Sequence, residues 1–181
     1  MSNNKNLNLP NILAAFRILL APLMLWFMID QSNPLFNGWH PSWFDYFAGL
    51  IFVIASITDF FDGYIARSWN QMTKLGSIID PLADKMLVLA GFIGLIALDR
   101  ASAFAVFLIL SREMFITGLR VVAVSEGKAV ASTMAGKVKT VVQMIAIGFL
   151  IMNWPFGNEL LWFATALTLY SGYEYIREYM K

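Results

Sequence analysis

The chain contains no cysteine and a single histidine, His40. Disulfides and thiolate metal sites are therefore excluded. A lone histidine in a polar loop, next to Pro41, reads as a solvated residue and not as a ligand. Charge is scarce too. Asp, Glu, Lys and Arg make up 14% of the 181 residues and nearly cancel, leaving a formal net charge of +1. That balance leaves no electrostatic footprint for nucleic acid. There is no internal repeat, no low-complexity segment and no polar stretch long enough to be a separate soluble domain. Apolar residues dominate instead: 59% are hydrophobic and 15% aromatic, with a mean hydropathy of +0.63.

Crossing the hydrocarbon core takes about 20 apolar residues in a helix, and such stretches recur along the chain. The pattern predicts an all-α integral membrane protein, a single domain over residues 1–181 with a short polar N-terminal segment, 1–10, and a six-helix transmembrane bundle. The predicted spans are Asn11–Ile29, Trp43–Ser68, Ser77–Leu98, Ser102–Val124, Ala135–Met152 and Glu159–Met180. The first apolar run lacks a small-x-small cleavage site, contains Arg17 and is long for a signal peptide, so it reads as a retained span. Arg17 itself is expected to snorkel to the interface.

Lys and Arg orient the bundle. Lys5 precedes the first span, and the loop after it has neither residue. Arg67 and Lys74 mark the second connection, Arg100 alone the third, and Arg120, Lys128, Lys137 and Lys139 the fourth. The fifth, "NWPFGN", has none, and the tail carries Arg177 and Lys181. Rich and poor connections alternate, which predicts that both termini are cytoplasmic. The aromatic clusters "NGWHPSWFDYF" and "YSGYEYIREY" read as interfacial belts. The "GFIG" run at Gly91–Gly94 reads as a close helix contact, with a dimer interface as one place for it.

One region breaks the apolar pattern. Asp59, Asp62, Gly63, Ala66 and Arg67 recur at spacings of three and four near the end of the second span, and Asp80 and Asp84 do so near the start of the third. Residues at that spacing share a helix face. Two antiparallel helices joined by a short cytoplasmic turn can aim both acidic pairs at one point. Each ionised Asp in an apolar region costs about 2.5–3.5 kcal/mol, and four like charges repel. Hard divalent cations relieve both problems, because they prefer carboxylate oxygens; four Asp suit one or two Mg²⁺ or Mn²⁺. Two such ions about 3.5–4 Å apart are a device for phosphoryl transfer. Arg67 has the planar fork that grips phosphate oxygens. Gly63, Ala66 and Gly76, with little or no side chain, let a ligand or a neighbouring backbone come close. The plainer alternative is a set of interfacial carboxylates paired with Arg67, Lys74 and Lys85.

These residues form Asp59-x-x-Asp62-Gly63-x-x-Ala66-Arg67, eight residues, then Gly76-x-x-x-Asp80-x-x-x-Asp84. The pattern resembles the complete signature of the CDP-alcohol phosphotransferases. Outside it, "PNILAAFR", "WNQMTKLGSIIDPLADK", "SREMFITGLR" and "AGKVKTVVQMIAI" look like the bacterial members that make phosphatidylglycerophosphate. One position departs: many members have Thr where Ala14 stands, three residues after Asn11.

The resemblance implies six transmembrane helices, a homodimer in the bacterial cytoplasmic membrane and a divalent-metal site at the cytoplasmic ends of helices two and three. It implies attack on CDP-diacylglycerol by the primary hydroxyl of sn-glycerol 3-phosphate, with CMP leaving. By the same resemblance Asp59, Asp62 and Asp80 bind metal. Asp84 holds a second metal, acts as general base, or does both. Asp59, Gly63, Ala66, Arg67 and Gly76 contact the CDP-lipid. The acceptor is a dianion and needs cations. Arg112 is the leading candidate because it lies deep in the fourth span, with Arg120, Lys137 and Lys139 behind it. Glu113, adjacent to Arg112, is expected on a different helix face, and Lys137 and Lys139 diverge by about 200°, so only one of them is expected to face the site. The competing readings are the same chemistry on another acceptor such as inositol phosphate, and a cation transporter.

Overall fold

A computed structural model describes the backbone of residues 9–31, 33, 36–68, 76–127 and 134–180; within these, the side chains at 9–11, 59–68, 76–81, 84 and 124 are outside the description. Among the described residues the regular structure is entirely helical. It comprises α1 (Leu9–Ile29), α2 (Pro41–Ser68), α3 (Gly76–Ala97), α4 (Ala103–Ser125), α5 (Met134–Ile151) and α6 (Gly157–Tyr179). Every helix end falls within two residues of the sequence expectation.

Local chemistry sets several of these ends. After α1, the Asp30 carboxylate accepts hydrogen bonds from Trp26 Nε1 and Asn33 Nδ2, both at 2.8 Å. The Asn33 bond and then the Trp26 bond hold the Asp30 carboxyl below its ordinary value. Gly127, just past α4, has φ +74°, the left-handed conformation that glycine adopts at a helix C-terminus without strain. Between α5 and α6 the chain reverses through Asn153 and Phe156, both at positive φ. It turns tightly enough that a Cβ on Gly157 would lie 2.8 Å from Leu150 Cδ2. His40 is exposed in its loop, as expected, and its Nδ1 accepts from the Ser42 amide at 3.3 Å.

Among the described residues, three helices contain stretches long and apolar enough to cross a membrane: Ile12–Ile29, Pro41–Thr58 and Met134–Ile151. The distribution of side chains agrees with a bilayer as solvent. Large apolar residues face outward, with Leu19 70% and Met114 76% exposed, while Arg17, Lys139, Gln143, Thr165, Thr168 and Ser171 are buried. The chain is a helical membrane protein.

The helices divide into two compact units, Met1–Leu98 and Asp99–Lys181, and the family expectation of a single domain spans both. In the first unit α1 packs along both α2 and α3. The approach of α3 to α1 is close at Gly94, where a Cβ would lie 2.7 Å from Met28 Sδ. The close contact read from "GFIG" is therefore found inside the chain. The central place of α1 also corrects the expectation for Arg17. It does not snorkel: it is fully buried and is not without a partner. A residue on the inward face of a helix flanked by two others has no short path to the interface. In the second unit α6 is the central helix, packing against α5 and α4.

Candidate functional site

The acidic signature falls on the two helices that flank α1. Asp59, Asp62, Gly63, Ala66 and Arg67 occupy the last turns of α2, and Gly76, Asp80 and Asp84 the first turns of α3. Both stretches have the helical backbone that puts residues three and four apart on one face. The four acids thus lie towards the end of α2 and the start of α3, on either side of the connection between these helices. Their side chains, with those of Gly63, Ala66, Arg67 and Gly76, lie outside the described residues, as does the connection between the helices. Among the described residues no other group of three or more Asp, Glu or His could hold a metal ion. Ala14, at the position that departs from the family pattern, is fully buried in α1.

The second unit has a polar interior built from α4, α5 and α6. Arg112 lies midway along α4 with its side chain only 11% exposed. Its Nη2 donates to Ser171 Oγ on α6 at 2.8 Å, and its Nη1 lies 3.4 Å from Glu113 Oε1. Glu113 Oε1 also accepts from Lys139 Nζ on α5. The sequence expectation that Glu113 would point away from Arg112 is therefore corrected. Adjacent helical residues diverge at Cβ, but both side chains are long and their tips meet. Ser171 Oγ in turn donates to the Thr168 carbonyl at 3.1 Å, and Thr168 Oγ1 accepts from Gln143 Nε2 at 2.7 Å.

Of the four cations proposed for the acceptor, the structure joins two through one carboxylate. Arg112 and Lys139 both contact Glu113, and the Lys139 side chain is 8% exposed. Lys137 is exposed, so the two lysines do diverge. Arg120 is exposed and sits with its guanidinium carbon 5.8 Å from the centroid of the Tyr175 ring, within cation–π range. Sequence reasoning missed the α6 residues. Thr165, Thr168 and Ser171 recur every three residues, a hydroxyl stripe on one helical face followed by Gly172. A Cβ on Gly172 would lie 3.0 Å from Arg112 Nε, so this glycine leaves room for the guanidinium.

Comparison with known proteins agrees with the signature. Residues 7–170 match the sequence model of the CDP-alcohol phosphatidyltransferase family. A Bacillus subtilis protein named CDP-diacylglycerol–glycerol-3-phosphate 3-phosphatidyltransferase is 39% identical over 188 residues, covering 93% of each chain. Proteins of the same name from Rickettsia felis and Cereibacter sphaeroides are 38% and 31% identical, covering 94% and 96% of both chains. The matched range, residues 7–170, spans α1 to α5 and the first part of α6. The chain belongs to the CDP-alcohol phosphatidyltransferase family.

Proposed function

We propose that this protein transfers the phosphatidyl group of CDP-diacylglycerol to the primary hydroxyl of sn-glycerol 3-phosphate. The products are phosphatidylglycerophosphate and CMP, and the reaction is a step of phospholipid biosynthesis. The observation that carries this reading is the likeness to relatives that bear that reaction in their name, at 31–39% identity over nearly the whole chain.

The acidic signature supplies the nucleotide half. Asp59, Asp62, Asp80 and Asp84 form an all-oxygen donor set, which fits hard divalent cations and not soft ones. Mg²⁺ or Mn²⁺ held there would neutralise the diphosphate and stabilise charge on the attacking and leaving oxygens. Arg67, one helical turn from Asp62 and Gly63 on α2, is assigned to the phosphates of the CDP-lipid. Gly63, Ala66 and Gly76, with little or no side chain, are assigned to the border of the cytidine diphosphate. Asp84, besides its place in the donor set, takes the proton of the acceptor hydroxyl. The freed oxygen bonds to the phosphorus that bears diacylglycerol, and the bond from that phosphorus to the CMP oxygen breaks.

The acceptor half is assigned to Arg112, with Arg120, Lys137 and Lys139 as further cations. A phosphorylated acceptor explains an arginine retained midway along an apolar helix, where it is otherwise costly. The acids' place in the last turns of α2 and the first turns of α3, beside Arg67 and Lys74, favours a site at the membrane surface, and midplane acids would be the mark of a transporter. We place the protein in the bacterial cytoplasmic membrane as a homodimer, with six spans, both termini and the metal site on the cytoplasmic side, and lipid tails leaving sideways between helices.

The test is purified protein in detergent with CDP-diacylglycerol, Mg²⁺ or Mn²⁺, and labelled acceptors. Label from glycerol 3-phosphate should become chloroform-soluble as CMP appears. Preference for inositol phosphate would overturn the acceptor assignment, and no lipid-soluble label from any acceptor would overturn the reaction.

A further inference from the structure

We infer that Glu113 and Ser171 are positioning residues for Arg112, clamping its guanidinium from α4 and α6 so that it meets the acceptor phosphate in a fixed orientation. The inference rests on the assignment of Arg112 to the acceptor and names what holds it there.

The geometry is that of a clamp with donors to spare. Ser171 Oγ accepts from Nη2 at 2.8 Å, and Glu113 Oε1 lies 3.4 Å from Nη1. A guanidinium has more N–H groups than these two contacts use. Its Nε is buried and has no hydrogen-bond partner among the described residues. Such a group has unused donors in a planar array, the arrangement that binds a phosphate with two parallel bonds. Side-chain entropy that a free arginine would lose on binding has already been lost. Gly172 completes the fit, since a Cβ there would come within 3.0 Å of Nε.

Glu113 also sets the charge. Arg112 and Lys139 are two largely buried cations brought together at one carboxylate oxygen. Without that carboxylate they would repel in a medium that screens poorly. With it, the cluster keeps one net positive charge and Arg112 is not driven away from Lys139. The Glu113–Lys139 ion pair also links α4 to α5. Neighbouring residues on α4 thus tie it to both other helices of the unit, Arg112 to α6 and Glu113 to α5.

The experiment is steady-state kinetics and equilibrium glycerol 3-phosphate binding for Ser171→Ala, Glu113→Gln and Arg112→Gln in the full chain, with Tm measured on the same preparations. Ser171→Ala should raise KM for glycerol 3-phosphate by roughly tenfold, the scale of one hydrogen bond to a charged group. Its KM for CDP-diacylglycerol and its Tm should stay at the unsubstituted protein's values. Glu113→Gln should shift the acceptor KM in the same direction and further. If Arg112→Gln raises the acceptor KM while the other two leave it unchanged, the clamp is refuted and the acceptor assignment stands. If Arg112→Gln leaves it unchanged, the assignment falls and the clamp with it. A loss of Tm with equal damage to both substrates' KM would show a structural link only, which also refutes the clamp. Should Glu113→Gln fail to fold, Ser171→Ala, the loss of one oxygen, decides alone.

Discussion

The two three-helix units bury different chemistry. Around α1, the described interior is apolar and close-packed, with Ala14, Met24, Met28, Leu87, Phe92 and Leu95 sealed from outside and Arg17 the one charged side chain among them. Around α6, the interior is hydrogen-bonded, with Lys139, Gln143, Thr165, Thr168 and Ser171 all buried and Arg112 nearly so. In a bilayer, burying apolar surface between helices gains little, because lipid is equally apolar. Helices then associate by close backbone approach or by polar contacts, and each unit shows one of these solutions. The first unit leaves its charged signature to the ends of α2 and α3. The second carries charge within its core, where each charged group needs a partner.

The largest effect should come from the first unit's acids. Asp80→Asn and Asp84→Asn should each reduce turnover by roughly 10²–10³-fold or more, the scale of losing a group that stabilises transition-state charge. Both variants should insert and extract normally. Appreciable activity in both would leave the two units without the proposed division of labour.

A sharper contrast uses one glycine from each unit. Gly172→Ala places a methyl against Arg112, so it should raise the glycerol 3-phosphate KM by roughly tenfold through misplacement of a binding group. Gly94→Ala places a methyl against the flexible Met28 side chain. It should lower stability by about 1 kcal/mol, the lower end of overpacking costs, and leave both KM values alone. Thermal unfolding and kinetics on the pair would separate packing from chemistry, and equal behaviour would erase the contrast.

The smallest effect concerns Asp30 at the end of α1. Its folded carboxyl lies below its unfolded value because Asn33 and Trp26 donate to it. Its contribution is therefore full above the unfolded value, near 3.9, and is lost as pH falls through the lower folded value. Asp30→Asn should flatten that part of the acid limb of Tm against pH and change little at neutrality. An unchanged acid limb would show that these hydrogen bonds carry no linkage.

Much of the fold was legible because apolar run length is a strong signal in a membrane chain. The runs bounded by Asn11 and Ile29, or by Ala135 and Met152, could scarcely be anything but helices. The family was legible for another reason: eight positions at fixed spacing around Asp59 and Asp84 have few other uses. What escaped was contact between side chains. Spacing rules describe where Cβ atoms point, so they placed Glu113 away from Arg112, although the tips of these long residues meet. They could not say that α1 is the central helix of its unit, which is why Arg17 was expected at the interface and lies buried. The hydroxyls of Thr168 and Ser171 were silent as well, since in a helix each can bond its own backbone, and only packing against α4 and α5 gives them partners.

The account depends most on divalent cations held by carboxylates from α2 and α3. Its most direct test is turnover of labelled glycerol 3-phosphate into chloroform-soluble product by metal-stripped protein, before and after Mg²⁺ or Mn²⁺ is returned. The account predicts no lipid-soluble label in chelator and recovery on addition of either ion. An undiminished rate in rigorously chelated protein would contradict it.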